Sequence, residues 1–301
     1  MGAVTGSGNT VVAAGANMTA YQIRQNSLTI NAGGAMTLLP SGSGSTTNPA
    51  APNNINFSST LTSLSIAGTT NAWTGTLDIG NNGLVIVYGS GTDPYTTIDN
   101  MIASGYDGGS WQGTGITSTL AAAAAAIGSK VPALNIGLID FTPGAGNYTN
   151  ATTMVFEGQT ITADAILLRL TYMDDLLLVG NMMGSNSSSD ALLFAANYGS
   201  GTTWSVGDIT HDGTIGSSDA LLFAANFSTT YPSLDGTTGN EAALSGAAAA
   251  LGAPAGQRPV PEPSPAILAA IGSVGLVLLV RRRNGPTIAA PGELKLPFRG
   301  E

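Results

Sequence analysis

Gly75-Thr76-Leu77-Asp78-Ile79-Gly80-Asn81-Asn82-Gly83-Leu84-Val85-Ile86-Val87-Tyr88 reads as two short strands joined by a turn. Apolar residues alternate with hydroxyl and amide residues, and Gly or Asn punctuates the ends. Asn81-Asn82-Gly83 is the tight turn between the two runs. The same pattern recurs upstream in Asn26-Ser27-Leu28-Thr29-Ile30 and Leu61-Thr62-Ser63-Leu64-Ser65-Ile66. Short strands at fairly regular spacing, with no long crossover helix between them, predict a mainly β fold over residues 1–173. A β-solenoid is the favoured architecture and a β-sandwich the alternative.

Beyond residue 97 the period changes. Ile98, Met101 and Ile102 share one helical face, and residues 118–127 are Ala-rich with high helix propensity. Strands return between residues 131 and 172, ending in Asp164-Ala165-Ile166-Leu167-Leu168-Arg169-Leu170-Thr171-Tyr172. Residues 40–52 are a Gly/Ser/Thr/Asn/Pro loop, and residues 231–259 read as a flexible linker, Ala/Gly-rich from 236.

Composition narrows the function. Only 9% of the 301 residues are charged, against about a quarter in a typical soluble domain. Such a chain is solubilised by hydroxyl and amide groups, as suits an extracellular β protein. Cysteine is absent, which excludes disulfides and thiolate metal sites and leaves a bound cation as one possible staple. Before Arg258 the basic residues are Arg24, Lys130 and Arg169, against 15 acids. Nucleic-acid binding by phosphate neutralisation is excluded on that balance.

Ser188-Ser189-Asp190-Ala191-Leu192-Leu193-Phe194-Ala195-Ala196-Asn197 recurs, residue for residue, as Ser217-Ser218-Asp219-Ala220-Leu221-Leu222-Phe223-Ala224-Ala225-Asn226, an offset of 29. This is a duplicated unit over residues 174–230. Ahead of the second copy lies Asp208-Ile209-Thr210-His211-Asp212-Gly213-Thr214-Ile215-Gly216-Ser217-Ser218-Asp219. A hard cation needs six to eight oxygens, so a loop must fold back on itself to supply them. Asp208, Thr210 and Asp212 fall at loop positions 1, 3 and 5, Gly213 supplies the sharp turn, the Thr214 carbonyl follows, and Asp219 closes at 12. Ile215 is expected to pin the loop to the core, with water at Gly216. His211 is expected to be solvated. The Leu-Leu-Phe stripes are expected to form the core between the copies.

The duplicated loop-then-helix unit resembles the dockerin module, in which Asp is usual at position 12. The resemblance implies Ca2+ held by Asp208, Thr210, Asp212, Thr214 and Asp219, and a cohesin-like partner met through Ser188-Ser189 and Ser217-Ser218. In the first copy Val179 and Met183 stand where carboxylates are needed, while Asn181, Gly184 and Asp190 keep the pattern. That loop is expected to be empty, since Asp174 and Asp175 would serve only in a different geometry. A partnerless calcium-stapled stalk is the alternative.

Val260-Pro261-Glu262-Pro263-Ser264 precedes the uncharged residues 266–280 and then Arg281-Arg282-Arg283. Fifteen helical residues span about 22 Å, short of the roughly 30 Å hydrocarbon core, and snorkelling arginines can make up the difference. The arginine cluster should stay cytoplasmic, leaving the preceding chain outside. This order of elements resembles the PEP-CTERM sorting signal of Gram-negative envelopes. It implies a single transmembrane helix, cleavage near Pro261-Glu262-Pro263 by an exosortase-type membrane protease, a transient stay in the inner membrane, and release to the cell surface. Residues 284–301 extend past the usual end of such signals. Met1-Gly2-Ala3-Val4-Thr5-Gly6 has no leader-like character, so a longer precursor is expected. The whole arrangement resembles planctomycete-type exported proteins.

Three functions follow from these expectations. The first is a non-enzymatic structural or adhesive envelope protein. The second is a carbohydrate-active solenoid assembled through the dockerin-like unit. Its base would come from Arg24, Lys130 or Arg169, or its paired acids from Asp78, Asp93, Asp99, Asp107 and Asp140, which read more simply as turn residues. The third is an envelope-polysaccharide binder using Trp73, Tyr106 and Trp111, which read more simply as core. A single His in a metal-type loop leaves no Ser/His/Asp set.

Overall fold

The computed structural model describes residues 2–39, 58–127, 133–145, 152–178 and 187–226. They are mainly β, arranged in several sheets. The chain winds through the same three sheets in the same order. The first turn is β1 (Val4–Thr5), β2 (Asn9–Val12) and β3 (Asn17–Ala20); the second is β4 (Ile23–Arg24), β5 (Ser27–Ile30) and β6 (Ala35–Leu38). Asn9 pairs with Ser27 and Asn17 with Ala35, so these turns advance by 18 residues, 9 to 27 and 17 to 35.

The third turn is β7 (Ser59–Leu61), β8 (Ser63–Ile66), a small hairpin of β9 (Gly68–Thr69) and β10 (Ala72–Trp73), then β11 (Thr76–Asp78). The fourth is β12 (Leu84–Val87), helix α1 (Tyr95–Tyr106) and β13 (Gly115–Thr117). Strand order is β2-β5-β8 in one sheet and β13-β11-β6-β3 in another, all parallel. In-register pairing stacks like on like. Met36 pairs with Leu77 and Leu77 with Ile116, all three fully buried. Val12, Ile30 and Ile66 form a second buried column. Alternation along each strand thus becomes an apolar interior, and this burial is the main stabilising term.

After α2 (Thr119–Ile127) come β14 (Leu134–Phe141), the hairpin β15 (Met154–Phe156) and β16 (Gln159–Ile161), and β17 (Ala165–Tyr172). The third sheet runs β1-β4-β7-β12-β17-β14: β17 joins antiparallel to β12, and β14 antiparallel to β17. Within it Arg169 is buried against Glu157 at 2.9 Å, and its Nη2 lies 3.9 Å from Asp175.

Helix α1 buries Ile98, Met101 and Ile102, the face read from the sequence. It packs on β13 because Gly105 has no side chain: a Cβ there would lie 1.8 Å from the Ile116 carbonyl oxygen. That close approach fixes where Asp99, on the same helix, is presented.

The duplicated segment follows as α3 (Ser187–Asn197) and α4 (Ser217–Asn226). Phe194 and Phe223 stack and are buried, whereas Leu192 and Leu221 are exposed. The stripes therefore bury their phenylalanines together and leave the first leucine of each outside, a correction to the expected Leu-Leu-Phe core. The segment belongs to the compact unit Met1–Ala255. The second unit, Gly256–Glu301, lies outside the described residues, and with it the expected sorting signal and the expected membrane span 266–280. No helix among the described residues is long and apolar enough to cross a membrane.

Candidate metal centre

A 3-10 turn at Trp204–Val206 leads through Gly207 into the loop, where the Asp208 N–H donates to the Thr203 carbonyl at 3.1 Å. Asp208 then folds the next residues back over itself: Oδ1 accepts from the Asp212 N–H at 3.1 Å and Oδ2 from the Gly213 N–H at 2.9 Å. Gly213 adopts φ 84°, the left-handed region that glycine enters without steric cost. Asp212 Oδ1 accepts from the N–H and hydroxyl of Thr214 at 2.9 and 2.7 Å. Asp219, in the first turn of α4, accepts at Oδ1 from the N–H and hydroxyl of Thr210, at 2.9 and 3.0 Å. Its Oδ2 accepts from the Gly216 N–H at 2.8 Å. Ile215 is buried, and its backbone pairs with Gly199 and Gly201, so it pins the loop as expected.

The outcome is a cradle in which Asp208, Asp212 and Asp219 each present a carboxylate oxygen, all within 4.8 Å of one another. These three can hold a metal ion. Asp208 and Asp219 are fully buried and Asp212 is exposed. Burial pushes the Asp208 carboxyl up to about 7, with Asp99 and Asp219 pushing the same way. His211 and the Gly213 N–H oppose the shift. Burying like charges together is costly unless a cation compensates them. The donor set is oxygen only, the chemistry of a hard cation. Thr210 and Thr214 lie within the cradle through their bonds to Asp219 and Asp212.

His211 is not solvated. It is buried, with its ring turned out of the cradle and into the β body, a correction to the sequence reading. Nδ1 lies 2.7 Å from Asp99 Oδ1 and Nε2 3.3 Å from Asn135 Oδ1. Asn135 Nδ2 donates to the Ile209 carbonyl at 2.8 Å, which orients the amide so that its oxygen faces the ring. The imidazolium form donates to both acceptors. Trp204 stacks on this ring, with centroids 5.4 Å apart. Sequence reading did not connect Asp99, Asn135 or Trp204 to this loop; the two polar partners lie 76 residues or more from His211 in the chain.

In the first copy, Val179, Asn181, Met183 and Gly184 lie outside the described residues, as do the side chains of Ser188 and Ser189. Asp190 is described and buried. It accepts from the backbone N–H groups of Leu176 and Leu177, and burial, then Asp175 and Asp174, push its carboxyl well up. Burial likewise pushes Asp174 up to about 7. Oδ1 of Asp174 and Oδ1 of Asp190 have no hydrogen-bond partner among the described residues.

Each carboxylate considered for catalysis has a hydrogen-bond partner. Asp78 accepts from the N–H groups of Gly80 and Thr119, Asp93 from that of Tyr95, and Asp107 from the Ser110 hydroxyl. Asp140 accepts from the Tyr88 hydroxyl at 2.8 Å, and Asp99 is drawn to His211. Arg24 donates to the Ser58 carbonyl, Arg169 faces Glu157, and Lys130 lies outside the described residues. Tyr106 and Trp111 are buried edge to face, as core rather than platform, while Trp73 is half-buried and donates to Asn100. Comparison of the chain with protein-family models, with curated proteins and with solved structures returns no match.

Proposed function

We propose that this chain is a non-enzymatic, exported envelope protein: a short β-solenoid whose C-terminal loop-helix unit is stapled by calcium for structural or adhesive display. The parallel, in-register return of the chain to the same three sheets supports a solenoid over a sandwich, which is built from antiparallel sheets. The observation that carries the cation assignment is the convergence of three carboxylates to within 4.8 Å. Opposite ligands at a calcium–oxygen distance of about 2.4 Å are separated by about that much. Asp208, Asp212 and Asp219 would hold the ion directly, and Thr210 and the Thr214 carbonyl would complete the shell. Calcium would supply the counter-charge that lets buried Asp208 stay ionised.

Export and sorting rest on the sequence. Val260, Pro261, Glu262, Pro263 and Ser264, an apolar stretch, and Arg281, Arg282 and Arg283 together form a PEP-CTERM-type signal for an exosortase-type protease. A cohesin-like domain or an envelope polysaccharide is the partner class this reading implies. Expression of the full chain in a Gram-negative host carrying an exosortase tests it. The native chain should be shortened and found at the surface, whereas Pro261→Ala and a triple Arg281/Arg282/Arg283→Ser variant should accumulate uncleaved. Identical processing of all three would overturn the sorting assignment.

A further inference from the structure

We propose that His211 and Asn135 are positioning residues for the cation loop, so that cation occupancy and the packing of the loop-helix segment on β14 and α1 form one coupled equilibrium. The inference rests on the cation reading of Asp208, Asp212 and Asp219 and goes beyond it. In an autonomous loop-helix module, ion binding would order the loop and leave the β body indifferent.

Here the loop is held from outside at two consecutive sites. The Ile209 carbonyl is taken by Asn135 Nδ2, and the His211 ring is clamped between Asp99 on α1 and Asn135 on β14. Asn135 is fully buried and uses both ends of its amide, since its oxygen also accepts from the Ile136 N–H at 2.7 Å. His211 itself stands at φ 56°, a left-handed conformation that a side-chain-bearing residue keeps only when its surroundings over-determine it. The clamp on its ring supplies that determination. The turn at His211 is what carries the chain from Asp208 round to Asp212, whose N–H closes on Asp208 Oδ1.

Trp204 seals the joint. It is fully buried, stacks on His211 with planes 13° apart, and its backbone N–H donates to the Tyr95 hydroxyl at the start of α1. Its approach to β14 depends on Gly137, where a Cβ would lie 2.9 Å from the Trp204 indole nitrogen. The contacts that shape the cradle are therefore the same contacts that dock the segment. By linkage, whatever the clamp adds to cation affinity the cation returns as docking stability.

The test uses the full chain, with calcium chloride as the probe. In the native protein, hydrogen exchange should slow on β14 and α1 as well as on residues 208–219 when calcium is added. Calorimetric titration should show His211→Ala and Asn135→Leu binding calcium about tenfold more weakly at unchanged stoichiometry. His211→Gln, which retains a donor toward Asp99, should recover most of that loss. Protection confined to residues 208–219, or native affinity in both clamp variants while Asp212→Ala has lost binding, would overturn the coupling and leave the cation site standing. A native chain that binds no calcium would remove both.

Discussion

Phe194 lies flat on Phe223, ring centroids 4.7 Å apart and planes 16° apart, and the two residues occupy the same position in the two copies of the repeat. The duplication is thus used for self-packing, each copy burying the apolar group the other presents. Neither helix has the length to be stable alone in water, so both depend on packing contacts of which this stack is one.

Truncating either ring should therefore be costly. Phe223→Ala is expected to lower unfolding free energy by about 2–4 kcal/mol, read from urea midpoints with unchanged slope. The double variant with Phe194→Ala should cost less than the two singles together, by about 1 kcal/mol. Strict additivity would show that the stack is not a coupled unit.

The α1–β13 contact makes an equally sharp demand. Gly105→Ala places a methyl 1.8 Å from a backbone oxygen that cannot yield, so helix and strand must separate. We expect a loss of about 2 kcal/mol or more despite the better helix propensity of alanine. Ala103→Gly, half-buried on the same helix, serves as the comparison and should cost only about 1 kcal/mol. Equal tolerance of both would refute the close packing.

Asp174 gives the pH dependence. Burial raises its folded-state pKa to about 7, above the unfolded value, so the folded chain binds the extra proton. Its stabilising contribution is fully present below the unfolded pKa and is lost as pH rises through about 7. Asp190, raised for the same reason, acts in the same direction. In calcium-free buffer Asp174→Asn should be more stable than the native chain at pH 8, by about 4 kcal/mol at most, with the gap closing toward pH 4. A gap that does not change between those pH values would mean that the carboxyl does not titrate there.

Much of this was legible in the sequence, for identifiable reasons. Period-two runs such as those around Leu28, Leu77 and Leu84 gave strands, because a strand with one buried face leaves that trace. The 18-residue winding was hidden: residues 40–57 separate β6 from β7 in sequence, and the β9–β10 hairpin and α1 interrupt later turns. Extra chain between strands and a helix in place of a strand leave the pairing in register but destroy the spacing in sequence. Asp208, Asp212 and Asp219 were found because loop chemistry is local. Asp99 and Asn135 were not, since no local pattern marks a residue whose partner lies across the fold. His211 was misjudged for the same reason: a lone polar residue at a non-ligand position looks like surface until its acceptors are in view.

Calcium titration of the full chain, native against Asp212→Ala, tests the account most directly. Asp212 is exposed, so its loss should leave the ion-free protein folded and near native stability. The native melting temperature should climb with calcium in the millimolar range, as for extracellular calcium modules, while that of Asp212→Ala stays nearly flat. Parallel curves for the two proteins, rising together or not at all, would contradict the cation site on which the proposed display function depends.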